Sequence, residues 1–467
     1  MLGTNLAEHD EKVGLIQAQM ASFYHQQEKV KIYHGSTNST RPFHSGRPRY
    51  VDVSSLGDVI EISVDGQYAI VEPNVPLDQL VAATQKVGLI PPMVAEFPGI
   101  TVGGAISGGS GESSSFKWGL FHDICLEYEV VLGNAEIRQA SRTVNADLFW
   151  GMACAFGSLG IVTLVKVKLV PATKYVRLRY RRTANHQDAL AQLETQVGRG
   201  QDFVDGILFS KTNGVIMTGS YTNEASLPVA RFSRAYDDWF YVHAQKISQR
   251  HDDYEEIIPL RDYLFRYDRG GFWAARYAFR HLPFNRLSRF LLAGFFKTRT
   301  LFKILQGSNY AYRVLAQDIS LPADQAIPFL DYVDTACGIY PLWLCPLKPG
   351  GQDFLSPNAI SAPLVVNVGV WGELKPSAKT FKERNRELEK LVGEMKGRKV
   401  LYAHAYYSEA EFWQIYDRPS YQTLRQKYHA EATFPDVLAK TSTPSPDFAP
   451  SQIKGLLALV KSPYKLR

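Results

Sequence analysis

Apolar residues recur every three or four positions from Val13 to Tyr24, at Ile16, Met20 and Phe23, and this spacing predicts an opening helix. The run Val30-Lys31-Ile32-Tyr33 then reads as a short strand. Val59 to Val64 and Tyr68 to Val71 are β-type runs joined through Asp65-Gly66, a hairpin signal because both turn residues tolerate positive φ. A helix follows, with Pro76 in its first turn, Leu77, Leu80, Val81 and Thr84 on one face, and Gly88 at its end. Glu127 to Leu132 and Ile161 to Val170 read as strands of one sheet. After Pro171 the pattern becomes strands (Val204 to Phe209, Val215 to Ser220) interleaved with helices such as Asp188 to Val197, which predicts a second α+β unit from about residue 173. A charged amphipathic helix is expected over Ser377 to Lys396, a strand over Val400 to Ala405, and helices up to about Lys440. The Ser-, Thr- and Pro-rich stretch beyond Thr441 reads as a loose tail.

A chain of 467 residues suits two or three packed domains, and 45% hydrophobic with 21% charged residues is an ordinary globular composition. The net charge of +6 fits attraction to a dinucleotide or an anionic surface, while no Arg-rich arm or metal-ligand spacing points to nucleic acid or to a metal. Cys125, Cys154, Cys337 and Cys345 stand singly, which favours a reducing compartment. Met1 to Lys12 is polar and acidic, and no apolar run approaches the roughly 18 residues of a spanning helix. The expectation is a cytoplasmic protein without signal peptide or transmembrane helix. Arg269 to Gln317 contains no Asp or Glu, and residues 276–303 interleave Arg and Lys with Phe and Leu. This segment is either a peripheral membrane contact or an amphipathic cap helix packed on the core.

The chemistry concentrates between Pro98 and Ser115, where six glycines and six serines or threonines fall in eighteen residues. Backbone without side chains, with N–H groups turned one way, is what a diphosphate needs. No GxGxxG follows a strand here and no GK[ST] is present, so a Rossmann crevice and a P-loop are both excluded for this stretch.

The segments Glu96 to Gly104, Gly111 to Ser115, Lys117 to Phe121 and Gly157 to Gly160 resemble the FAD-binding core of the Δ24-sterol reductases, members of the vanillyl-alcohol-oxidase superfamily. The likeness continues through Tyr175 to Leu178, Ile258 to Arg261, Gln317-Asp318, Tyr340 to Pro346 and Glu411 to Trp413. It implies an α+β architecture: a PCMH-type, two-subdomain FAD-binding domain over 1–172, an α+β substrate or cap domain over 173–400, a segment 401–440 closing on the flavin domain, and a tail 441–467. It further implies that Gly35, Ser36, Thr37, Asn38 and Ser39 form a first phosphate loop. Pro98, Gly99, Thr101, Val102, Gly103, Gly104, Ser107, Gly108, Gly111, Glu112, Ser113 and Ser114 would form the main cofactor segment. Gly119 and Ile124 would approach the flavin or ribityl chain, and Gly160, Ile161 and Val162 the adenine. Asn38 stands where many relatives place a flavin-linked histidine, so the FAD is expected to be non-covalent.

In the resembling enzymes NADPH reduces FAD, which then reduces an isolated alkene of a lipophilic substrate; an unactivated alkene also needs a positioned acid. Asp318, His404, Tyr406 and Tyr407 are the candidate proton donors, and Tyr340 and Trp343 the candidate pocket walls. Two other functions stay open at this point: an oxidase or dehydrogenase of a secondary metabolite using O2 or another acceptor, and a flavin-binding protein without turnover.

Overall fold

The computed structural model describes residues 2–35, 39–40, 49–308, 310–374 and 379–443. Two sheets organise the chain. The first has five antiparallel strands in the spatial order Val59–Ser63, Tyr68–Val71, Ile161–Lys168, Cys125–Val131, Ile137–Ser141. Its central strand, Ile161–Lys168, is aliphatic and mostly buried, with Lys166 and Lys168 leaning out, and Lys166 Nζ sits 4.1 Å above the Tyr68 ring. The two expected strands therefore do share a sheet, in register Tyr128 to Val165.

The hairpin differs from its expected two-residue turn. Pairing stops at Ser63 and resumes at Tyr68, and the left-handed residue is Gln67 (φ 50°). The Ser63 hydroxyl accepts from Gly66 N at 3.1 Å, which closes a wider turn than Asp65-Gly66 alone would make.

The opening helix runs from Leu2 to His25 and buries Val13, Ile16 and Met20 against this first sheet's core. A polar clamp fixes its position. His9 places Nδ1 2.9 Å from Glu72 and Nε2 3.2 Å from Glu129, and Lys12 reaches Asp58 (2.6 Å) and Glu72 (3.1 Å).

The second sheet has eight strands, all antiparallel: Asp253–Pro259, Tyr175–Thr183, Asn213–Thr222, Phe203–Ser210, Leu342–Leu347, Val365–Glu373, Val314–Pro322 and Arg398–Lys399. A strand sends successive side chains to opposite faces. Leu315, Ile319, Leu321, Leu342, Leu344, Val366, Val368 and Val370 face one way, into a core closed by the helices His186–Val197, Ala323–Tyr332 and Phe381–Glu394. Trp343, Cys345, Leu347 and Trp371 face the other way and join the core of the first sheet.

Two expected elements change. The strand over Val400 to Ala405 is reduced to Arg398–Lys399, paired with Ser320 and Ile319. Beyond Val400, whose N–H still reaches Asp318 O (3.0 Å), the backbone finds other partners: Ser39 Oγ donates to Tyr402 O, Lys399 Nζ to His404 O, and Ala405 N to Thr443 Oγ1. The 276–303 segment is a broken series, with turns or helices at Ala274–His281, Arg286–Leu291, Ala293–Phe296 and Thr298–Ser308, interrupted around Pro283 and at Lys297. The charged helix spans Phe381–Glu394, where a Thr380/Glu383 capping box sets its start. No helix among the described residues is long and apolar enough to cross a membrane.

The clamp on the first helix makes stability pH-dependent. Burial alone would lower the pKa of His9, but Glu129 and Glu72 outweigh it and lift it to about 9. A raised folded-state pKa stabilises fully below the unfolded value of about 6.5, and that stabilisation fades as pH rises through about 9. His9→Gln should cost about 1–3 kcal/mol near pH 6.5 and progressively less towards pH 9.5. Thermal melts of both proteins across that range check this, and parallel curves at all pH values would contradict it.

Candidate active site

A cleft of about 1300 Å³ lies between the glycine-rich segment and the inner face of the eight-stranded sheet, larger than a single small-ligand pocket of about 300–1,000 Å³. The glycine wall is a short helix, Val102–Gly108, started by Thr101, whose hydroxyl accepts from Gly104 N at 3.2 Å. Val102, Ala105 and Ile106 anchor it in the core, so Gly103, Gly104, Ser107 and Gly108 present backbone to the cleft. A Cβ on Gly103 would stand 2.8 Å from Pro73 Cβ, whereas one on Gly108 would meet nothing within 4 Å. The first glycine permits packing; the second leaves the cleft bare.

Of the residues expected at the cofactor, Ser39, Thr101, Gly103, Gly104, Ser107, Gly108, Gly111, Gly160, Ile161 and Val162 line the cleft. Ser36, Thr37 and Asn38 lie outside the described residues. The others stand behind the lining. Pro98 and Gly99 are braced by Arg299, which donates to Pro98 O and pairs with Asp78 (2.9 and 2.7 Å). Glu112 is turned onto the Ser113 hydroxyl and Ser114 N, and Ser113 meets Tyr263 and Arg266. Ser114 donates to Pro92 O, and Gly119 (φ 79°) packs on Asp123. Val102 and Ile124 are core residues, and Gly35 (φ 77°) turns the chain beside Ser54.

The expected catalytic cluster separates. Asp318 and Trp343 line the cleft; His404, Tyr406, Tyr407 and Tyr340 do not. Gln317 and Asp318 are adjacent in a strand and so point to opposite faces: Gln317 Nε2 donates to Asn385 and to His404 O, on the far side from the cleft. His404 is buried there among Tyr312, Phe381 and Tyr406, and Tyr407 packs on Phe412. Tyr340 bonds His186 and Asp334 at 3.1 Å. Of the expected strand only Val400 and Tyr402 reach the cleft.

Tyr402 is what the sequence reading lacked. Its hydroxyl donates to Asp318 Oδ2 at 2.7 Å and accepts from Trp371 Nε1 at 3.2 Å. Among the described residues Asp318 Oδ1 has no hydrogen-bond partner, and it lies over Gly369, where a Cβ would come within 3.1 Å of it. Burial pushes the Asp318 pKa up to about 7, against the opposing bond from Tyr402. A second carboxyl, Glu96, lines the cleft with a bare Oε1; burial and then the nearby Glu112 hold it well above the usual carboxylate range. Below them Arg266 pairs with Asp205 at 2.9 Å, and Asp205 also accepts from Tyr267 and Trp343. That fixes the Trp343 ring. One His-Asp-Asp group, His122, Asp123 and Asp353, brings ligand-type atoms together, but His122 Nε2 already pairs with Asp353 at 2.6 Å.

The family model for an FAD binding domain matches residues 16–141, the stretch that supplies the glycine wall. The cleft suits that cofactor's diphosphate on independent grounds. Lys440 lines it with Nζ on Gly157 O at 2.7 Å, and no carboxylate among the described residues pairs with it. Burial, with Arg425 and Lys31 nearby, pushes its pKa down to about 7, a charge deficit that an anion would relieve. No sequence signal marked this lysine. Lys440→Met should weaken FAD and ADP binding about tenfold to a hundredfold while riboflavin binding holds, as titrated by flavin fluorescence and calorimetry. Equal losses for riboflavin, or none for FAD, would contradict this.

Similarity extends far beyond that domain. The chain is 31% identical over 459 residues to the Delta(24)-sterol reductase of Homo sapiens, covering 92% of this chain and 86% of that protein. It is 30% identical over 430 residues to the Delta(24)-sterol reductase of Arabidopsis thaliana, covering 84% and 76%. Cytokinin dehydrogenase 2 of Arabidopsis thaliana matches at 26% over 209 residues, 44% of this chain and 40% of that one. A match at 31% identity that covers 92% of this chain and 86% of its relative places this chain in the Delta(24)-sterol reductase family.

Proposed function

We propose that the chain is an FAD-dependent reductase of an isolated C=C bond in a lipophilic, sterol-like substrate, with NADPH as the reductant. The observation that carries this reading is Asp318: a carboxyl held near neutrality with one bare oxygen on an aromatic cleft wall. The long match to sterol reductases supports reduction; the dehydrogenase match that would favour the oxidative alternative is shorter and lower in identity. The domain division that fits this reading is a two-subdomain flavin-binding unit over 1–172, a cap over 173–400 and a closing segment over 401–440. Arg425 and Tyr421 support the last part, since they hold Ser158 O and Oγ at 2.6 and 2.8 Å.

Bound FAD, once reduced, supplies the hydride. The protein's own work is to bring the alkene against an acid in a dry space. Phe272, Trp343 and Trp371 provide the apolar wall, with Phe272 and Trp371 ring centres 4.2 Å apart. Burial keeps Asp318 protonated against the pull of Tyr402, and because Tyr402 donates to Oδ2 the proton sits on Oδ1. Asp318 Oδ1 would give its proton to one alkene carbon, the other carbon being the one open to the hydride that the flavin would supply, and Tyr402 would hold the carboxylate left behind.

The pH behaviour follows. Asp318 must be protonated, so alkene reduction falls as pH rises through about 7. Tyr402→Phe removes a bond that lowers the Asp318 pKa and should shift this limb to higher pH. Asp318→Asn should slow reoxidation of the reduced flavin by substrate by about 10²–10⁴-fold, with flavin content and flavin reduction by NADPH retained. Stopped-flow rates on the reduced proteins test this. A shift of the limb to lower pH in Tyr402→Phe, or loss of rate in Glu96→Gln and not in Asp318→Asn, would remove the assignment.

A further inference from the structure

Five large apolar side chains remain in solvent within fourteen residues: Leu282 (51% exposed), Leu287 (66%), Phe290 (46%), Leu291 (68%) and Phe295 (44%). A patch of this kind marks an interaction site. Tyr236, itself exposed, adjoins it, because its carbonyl accepts from Arg286 Nε at 3.2 Å. Arg276, Arg286 and Lys297 are exposed along the same stretch, which holds no Asp or Glu from Arg269 to Gln317. Acids beside it are already engaged: Asp238 pairs with Lys246 (2.6 Å) and Arg289 (2.8 Å), Asp237 accepts from Arg234 N, and Asp268 accepts from Thr298 N and Oγ1. The face is apolar and cationic together.

The second observation concerns the cleft. Ala278 and Leu282 stand on this face and also line the cavity, with Leu301, Phe302 and Leu305 continuing the wall inward. The apolar patch and the cavity are one continuous surface.

We propose that this face docks on an anionic lipid bilayer and that the substrate passes from the bilayer past Ala278 and Leu282 into the cleft without crossing water. Leu287, Phe290, Leu291 and Phe295 insert among acyl chains while Arg276, Arg286 and Lys297 meet lipid phosphates and carboxylates. A second copy of the chain fits this face less well, since a two-fold contact would set one cationic face against an identical one. The route for substrate rests on the sterol-like reading above; the docking itself does not.

Flotation of the FAD-loaded full chain with phosphatidylcholine vesicles, with and without phosphatidylserine, tests the docking. The protein should float with the serine-containing vesicles and lose most of that binding in high salt. Leu287→Ser with Leu291→Ser should lower the bound fraction about tenfold at unchanged flavin content. Arg286→Glu with Lys297→Glu should remove the preference for phosphatidylserine, worth about fivefold per charge. A protein that stays unbound with both vesicles, or variants that float as the parent does, would overturn the proposal. So would a parent dimer that the Leu287/Leu291 variant converts to monomer by light scattering with flotation unchanged. Flotation requires no turnover, so a protein that floats and yet reduces no alkene would refute the proposed function alone.

Discussion

The two-residue period of the eight-stranded sheet is the constraint from which the site follows. Three of its strands, Leu342–Leu347, Val365–Glu373 and Val314–Pro322, divide their side chains between a dry core and the cleft. In Val314–Pro322 this puts Leu315, Ile319 and Leu321 in the core and leaves Val314, Ala316 and Asp318 facing the cavity. In Val365–Glu373 it does the same with Val366, Val368 and Val370 against Asn367 and Trp371. A register slip of one residue would bury Asp318 among aliphatics and turn Gln317 to the substrate. The core on the far face forbids that slip, so the packing of residues remote from the cleft sets the position of Asp318.

Low polarity in the cleft then decides the charge states. Asp318 and Glu96 are driven towards their neutral acids and Lys440 towards its neutral amine, each chiefly by burial. A cavity whose ionisable groups are biased to neutrality accepts a greasy molecule without leaving charges unsolvated. The same bias makes an anionic cofactor a stabilising occupant, because it restores a counter-charge to Lys440. Two requirements that look opposed, an apolar substrate and a charged cofactor, are met by one physical environment.

Much of this could be read from the chain. The strands Cys125–Val131 and Ile161–Lys168 and the helix His186–Val197 are strongly periodic, and the glycine segment announced a backbone cradle through its composition. Asp318 and Trp343 were also named in advance. What could not be read depends on tertiary choices. The stretch after Val400 has strand-like composition, yet side chains of Ser39, Lys399 and Thr443 capture its backbone and end the ladder. His404 and Tyr407 lie outside the cleft lining, packed on Tyr312, Phe381 and Phe412. Glu112 and Ser113 belong to the right segment but organise it from behind, since side-chain direction within a tight loop has no sequence period. Lys440 sits at the end of the last helix, where only the packing of that helix on Gly157 brings it to the cavity.

The account stands on a flavin and a neutral Asp318 sharing one cleft. The crystal structure of the FAD-loaded protein with a non-reactive sterol analogue measures that arrangement directly. It should show the diphosphate against the backbone of Gly103 to Gly111 and an analogue side-chain carbon within hydrogen-bond-like reach of Asp318 Oδ1, on the side away from the flavin ring. An analogue lodged elsewhere, or Asp318 walled off from both molecules, would contradict it.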